Sequence, residues 1–288
     1  MGGLVMREIL KELLEERVKI YVSPELRAEN TKTDRKVRSL KDRKAEIVNV
    51  KAKGYVQSVH EEDGVSSIKY DIHFKYLIKQ RGFMYLEEEI EHREALARGD
   101  ILFEDREVPY IPSAEPADGD FSRKGERISY KYNRLKAVQY AERWWNEFNP
   151  AYKKFTDDCT SFISQCLRAG SAPMWGSPNR SKGWWYSGKS WSYSWAVAHA
   201  LKNYLQSSSG LKTRKVNSPE QLKIGDIICY DFEGDGRFNH NTMVTGKDAY
   251  GEPLVNAHTT NSRMRYWKYE DSSAYTPNIR YAFFTIID

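Results

Sequence analysis

Three residues in the C-terminal half have the types and settings for nucleophilic chemistry. They are Cys159 in "FTDDCTSFISQCL" (155–167), His240 in "FNHNTMVTG" and His258 in "PLVNAHTT". A thiol attacks only as it loses its proton, and an unperturbed cysteine is a few per cent ionised at neutral pH, so a base must sit beside it. Asp157 and Asp158 directly precede Cys159 and oppose ionisation. One way out is that one of them caps the helix that Cys159 opens, its carboxylate accepting the first free backbone N–H groups. The thiol then lies in the first turn, where the helix dipole favours an anion. Cys159, Phe162, Ile163, Cys166 and Leu167 fall on one helical stripe, so the thiol faces inward. The same stripe suits a plain buried cysteine, which is how Cys166 and Cys229 read.

Of the six histidines, His60, His73 and His92 sit among charges in the strand-rich N-terminal half and read as surface or structural. His199, on the helical run "WAVAHALKNYL", reads as packing or surface. His240 and His258 occupy consecutive predicted strands around "KDAYGE". Pairing symmetric about Ala249 sets Val244 against Leu254, Thr242 against Asn256 and His240 against His258. Directly opposed residues have Cβ atoms ~5 Å apart, so one imidazole could act as base while the other orients it.

Trp175, Trp184, Trp185, Trp191 and Trp195 form a cluster interleaved with Gly and Ser. It fits either a buried lid or an aromatic cleft wall, with Trp184, Trp185, Trp191 and the polar Asp158 as the expected substrate contacts. "DFEGDG" imitates a calcium loop from Asp231, but the twelfth position is Thr242 rather than Glu, so it reads as a polar turn. No zinc spacing occurs, and neither metal nor cofactor is expected.

These residues need elements to hold them. The chain has 288 residues, 40% hydrophobic, with a net charge of +5 and three cysteines lacking framework spacing. Residues 6–20 carry a helical stripe, and 45–106 alternate in the manner of strands, with turn signals at "EEDG" and "KQRG". The expected organisation is a small α+β domain over 1–107, a Pro/Gly-rich linker over 108–127, and a second domain over 128–288. That domain starts with a helix bearing Leu135, Val138, Ala141 and Trp145 on one side. The Cys159 helix follows and stops at Ala169-Gly170, with short strands after it. Helices first and strands later indicate α+β.

The stretches "YNRLKAVQYAERWW", "NPAYKKFTDDCTSFISQCLRAG", "WSYSW", "IGDIICYDFEGDGRFNH" and "NAHTTN" resemble the bacterial putative amidase domain family, within the papain-like group that includes NlpC-type and CHAP amidohydrolases. The resemblance covers roughly 128–288. It implies a papain-like helix-plus-antiparallel-sheet domain with Cys159 as nucleophile, His240 as base and His258 as the third residue, Asn256 and Asn261 being substitutes. It also implies a peptide or peptidoglycan-like amide substrate. Rival readings are an inactive module binding a peptide or cell-wall partner, and a cysteine acyltransferase. The resemblance is silent on the N-terminal domain, which is left free to recognise a partner. No nucleic-acid motif appears, and no stretch reaches the ~20 apolar residues that span a bilayer. Without a signal peptide the chain reads as cytoplasmic, or as cell envelope or secreted had a signal been trimmed.

Overall fold

The computed structural model describes residues 2–109, 119–121, 129–207 and 210–287. The expected linker therefore lies largely outside the described residues. The chain divides into two compact units, 1–110 with 269–273, and 111–268 with 274–288. Among the described residues no helix is long and apolar enough to cross a membrane.

The first unit begins with helices α1 (Gly2–Val22) and α2 (Lys32–Asp42). Thr31 caps α2 by accepting the Asp34 N–H at 3.2 Å. An antiparallel meander follows, β1 (Ala45–Glu62), β2 (Val65–Gln80), β3 (Phe83–Arg98) and β4 (Ile101–Glu107). Its first two turns fall where "EEDG" and "KQRG" place them. Asp63-Gly64 and Arg81-Gly82 all take positive φ, matching the twist of tight hairpins. Alternation on β2 sends Ile68, Tyr70, Ile72, Phe74, Tyr76 and Ile78 into the core, where Leu10, Tyr21 and Leu40 of the helices meet them. The segment 269–273, expected in the second domain, belongs to this unit: Arg35 donates to the Glu270 carbonyl at 2.8 Å, and Lys36 pairs with Asp271 at 3.0 Å.

The second unit is also α+β. Helices α3 (Arg134–Trp144), α4 (Cys159–Ala169), the single turn α5 (Tyr193–Ala196) and α6 (Ala198–Ser207) precede its strands. These are β5 (Thr213–Val216), β6 (Ile227–Asp231), β7 (His240–Lys247), β8 (Pro253–Ala257), β9 (Ser262–Tyr266) and β10 (Arg280–Ile286). They pair in the order β9-β8-β7-β6-β10-β5, with each registered pair antiparallel. The inner stripe of α3 is Ala137, Ala141 and Trp145, while Leu135, expected on it, is 66% exposed. Small residues let α3 lie close to α4. Gly170 ends α4 for a steric reason: a Cβ there would stand 2.5 Å from the Tyr132 ring. The "DFEGDG" segment is a polar turn in which the Asp231 carboxylate accepts N–H groups from Gly234, Asp235 and Gly236 at 2.7–3.2 Å.

Candidate active site

Every residue of α4 from Cys159 to Leu167 is buried, and the Cys159 thiol is held at its first turn. Sγ–H donates to Asp157 Oδ1 at 3.4 Å and lies 3.6 Å from Thr160 Oγ1. The backbone N–H of Asn241, on β7, donates to the sulfur. The Cys159 N–H donates to Thr259 Oγ1 at 3.1 Å, and that hydroxyl donates to Asp157 Oδ1 at 3.1 Å. Thiol, carboxylate and hydroxyl are thus linked in one hydrogen-bonded ring through the Cys159 N–H. Thr259 sits at φ 81, a left-handed conformation that a β-branched residue rarely adopts. Strain of this kind gathers where a side chain must be held for function.

The two aspartates do not cap the helix as expected. Asp158 occupies the N-cap position without a side-chain cap bond. Its Oδ2 accepts instead from His258 Nδ1 at 2.8 Å, and its Oδ1 from the Phe155 N–H at 3.4 Å. The cap of the Cys159 N–H is Thr259. Asp158, expected at the substrate, is 2% exposed and faces inward.

The expected facing of His240 and His258 fails because of one residue. Met243 pairs with Asn256 and Val244 with Val255, but Gly246 pairs with Leu254, so Thr245 is an extra residue in β7. Carrying that frame onward sets Asn241, not His240, across from His258. Because side chains alternate across a sheet, the two imidazoles leave opposite faces. On one face, Asn241 Nδ2 donates to Thr160 Oγ1 at 3.0 Å, and the His258 ring stacks on Phe162 at 4.0 Å. On the other, His240 lies across from Tyr230, with ring centroids 5.6 Å apart, and 6.0 Å from Phe232. Among the described residues, the hydrogen-bond partners of Sγ include no imidazole.

Both ring nitrogens of His258 are already taken up, Nδ1 by the Asp158 carboxylate at 2.8 Å and Nε2 by the Trp144 carbonyl at 2.7 Å. Of the substitutes, Asn256 is engaged elsewhere. Asn256 donates to Glu142 at 2.8 Å and accepts from Thr245 and Met264, and Asn261 is buried beyond the end of β8.

Asp157 also lines a cavity of about 270 Å³, with Val197, His199, Glu233, Arg237 and Asn239 among its other walls. His199, read from sequence as packing, thereby joins the site. Its Nδ1 accepts the Phe238 N–H at 3.0 Å, which leaves Nε2 to carry the hydrogen. Nothing in "WAVAHALKNYL" signals this, because the fold and not the helix register brings it there. Trp184 and Trp185 are 0% and 2% exposed, and their indole N–H groups donate to Ser164 and to the carbonyls of Asn179 and Lys182. They are core, not cleft wall. Trp191 is half-buried, edge-on to Phe155 at 5.0 Å.

Burial pushes the Cys159 thiol well above the usual thiol range, and the charge on Asp157 adds to it, against the Thr160 and Asn241 hydrogen bonds. The resting form is therefore the protonated thiol beside a carboxylate. Such a pair can attack a carbonyl only if the proton leaves as the new bond forms.

An α+β unit with a buried helix, a cysteine at its start and a sheet packed on it is what the family comparison covers. The family model described as "Putative amidase domain" matches residues 131–284, more than half of the chain, and the chain belongs to that family. An uncharacterized protein of Bacillus subtilis strain 168, YhbB, is 47% identical over 304 residues, spanning 100% of this chain and 98% of YhbB. A second from the same strain, YjcM, also uncharacterized, is 32% identical over 139 residues, 45% of this chain and 31% of YjcM. No solved structure matches significantly. Amide hydrolysis is the activity to which the family description points.

Proposed function

We propose that the second unit is a cysteine amidohydrolase that cleaves an amide of a peptide or peptidoglycan-like substrate through a thioester on Cys159. The observation that carries this reading is the double position of Asp157, which accepts the thiol hydrogen and also lines the cavity. The substrate carbonyl enters from that cavity. The carbon–sulfur bond forms as the thiol proton passes to Asp157 Oδ1, so no standing thiolate is required. The carbonyl oxygen becomes an oxyanion beside the start of α4, where backbone N–H groups lack intrahelical acceptors. The carbon–nitrogen bond then breaks as Asp157 returns its proton to the departing amine. Water attacks the thioester and gives a proton to Asp157, the carbon–sulfur bond breaks to release the acid, and Asp157 returns that proton to the departing sulfur, restoring thiol and carboxylate. This reading moves the base role from His240 to Asp157.

The test is amine release from a panel of peptide amides by the full chain. Cys159→Ala abolishes release, whereas Cys166→Ala, on the same stripe but inside the helix, retains it. Release at an undiminished rate by folded Cys159→Ala contradicts the reading.

A further inference from the structure

The Cys159 sulfur receives hydrogen bonds as well as giving one, and they come from a buried chain between β7 and α4. Asn241 of β7 and Thr160 of α4 are 0% and 1% exposed. Asn241 Nδ2 donates to Thr160 Oγ1 at 3.0 Å, and that oxygen stands 3.6 Å from Sγ. Counting hydrogens gives the second contact its direction. The thiol has one, and it points to Asp157 Oδ1, so the hydrogen between Thr160 and the sulfur belongs to the hydroxyl. A hydroxyl has one hydrogen and two lone pairs. The Asn241 amide takes a lone pair and leaves the hydrogen for the sulfur. The Asn241 main chain acts in the same sense, its N–H donating to Sγ directly.

Stability alone does not account for this asparagine. Its Oδ1 is wholly buried and has no hydrogen-bond partner among the described residues, a cost that an apolar side chain of similar size avoids. Burial and the Asp157 charge push the thiol up, and the Thr160 and Asn241 hydrogen bonds oppose them. The other titratable groups at this end of α4, Asp158 and His258, are engaged with each other at 2.8 Å. The donors to sulfur are therefore what favours charge there.

We infer that Asn241 is a positioning residue for the sulfur: its amide aims the Thr160 hydroxyl at Sγ, and that hydroxyl and the Asn241 main-chain N–H receive the negative charge that gathers on sulfur during the reaction. This rests on the reading of Cys159 as nucleophile. The S–H bond breaks as the O–H bond on Asp157 forms, while Thr160 and Asn241 keep their own hydrogens throughout. When the thioester opens, the same two donors meet the departing sulfur. Donors fixed in a site closed to water act more strongly than in solution and need no reorganisation.

The test pairs the pH midpoint of iodoacetamide labelling at Cys159, read on its peptide by mass spectrometry, with amine release from a peptide amide. Thr160→Val and Asn241→Leu each raise the midpoint by about one pH unit, a tenfold loss of thiolate at fixed pH. Each lowers kcat by about tenfold with KM little changed, and Thr160→Ser restores both. Because the Asn241 side chain acts through Thr160, the double variant has the midpoint of Thr160→Val alone. Should Asn241→Leu fail to fold, Asn241→Ser takes its place in the cycle. Full addition in the double variant, or midpoints that move while kcat does not, overturns the inference. So does a lowered midpoint in Asn241→Leu, the sign of an amide that draws the hydroxyl off the sulfur. Unshifted midpoints with Cys159 still required overturn this inference alone, whereas undiminished release by folded Cys159→Ala removes the nucleophile reading and this inference with it.

Discussion

Asp158 and His258 meet in a buried hydrogen-bond contact of 2.8 Å, each side chain 3% exposed, tying the end of β8 to the start of α4. The residues that follow them in the chain are Cys159 and Thr259, which share a hydrogen bond of their own. The pair therefore sets where thiol and hydroxyl meet. Leaving one partner of a buried hydrogen bond unsatisfied costs about 1–3 kcal/mol, so Asp158→Asn and His258→Gln lower stability by that order in denaturant titrations. A variant that keeps full stability and loses all activity would instead make His258 part of the chemistry.

Asp157 pulls two observables in opposite directions. Its charge raises the thiol pKa, so Asp157→Asn lowers it and speeds iodoacetamide labelling of Cys159 at a fixed pH. The same substitution removes the proton acceptor and slows amide hydrolysis by about 10²–10⁴. Labelling and hydrolysis that rise or fall together refute the assignment.

Thr259 is the positioning residue of the site. Thr259→Val keeps the shape and removes the hydroxyl that joins the Cys159 N–H to Asp157. Stability falls by about 1–3 kcal/mol through the unpaired buried groups, and hydrolysis falls by more than tenfold, since small misplacements at the reacting centre are costly. Thr259→Ser restores both. A Ser variant as impaired as Val would leave the hydroxyl without a role.

The helix start at Cys159 was legible because its apolar stripe is unbroken, and the first-unit hairpins because "DG" and "RG" are turn dipeptides. The hairpin carrying the histidines was not. One extra residue, Thr245, shifts the register and sends His240 to the other face of the sheet, and the one cue in "HNTMVTG" is Gly246 beside it, since a glycine inside a strand often accompanies a bulge. Helix-cap preference suggested work for the aspartates that Thr259 performs from 100 residues away. On β3, Leu86 and Ile90 suggest an inward face, yet these two are only partly buried while Glu87, Glu88, Glu89 and Glu91 are buried. Charged residues go inside only when long-range partners are present, and a single strand does not reveal partners such as Lys32 and Lys36.

His240 tests the register through acidity. Burial, then the charge of Arg265, holds its pKa down to about 3 from 6.5. Between these values the unfolded chain binds a proton that the fold does not, so stability rises with pH across the window and is lost as pH falls through it. The slope from this group approaches about 1.4 kcal/mol per pH unit. His240→Leu flattens the acid limb of the stability curve between these values and leaves hydrolysis within a few-fold of wild type. Loss of turnover in a folded His240→Leu chain, with the acid limb unchanged, would return the base role to His240.

The most direct test of Cys159 as nucleophile is acid-quenched mass spectrometry of the full chain caught during turnover of a peptide amide. The account predicts an acyl adduct on the peptide containing Cys159, absent from Cys159→Ala, which loses at least about a thousandfold in rate. An adduct on another residue, or undiminished turnover by folded Cys159→Ala, would contradict it.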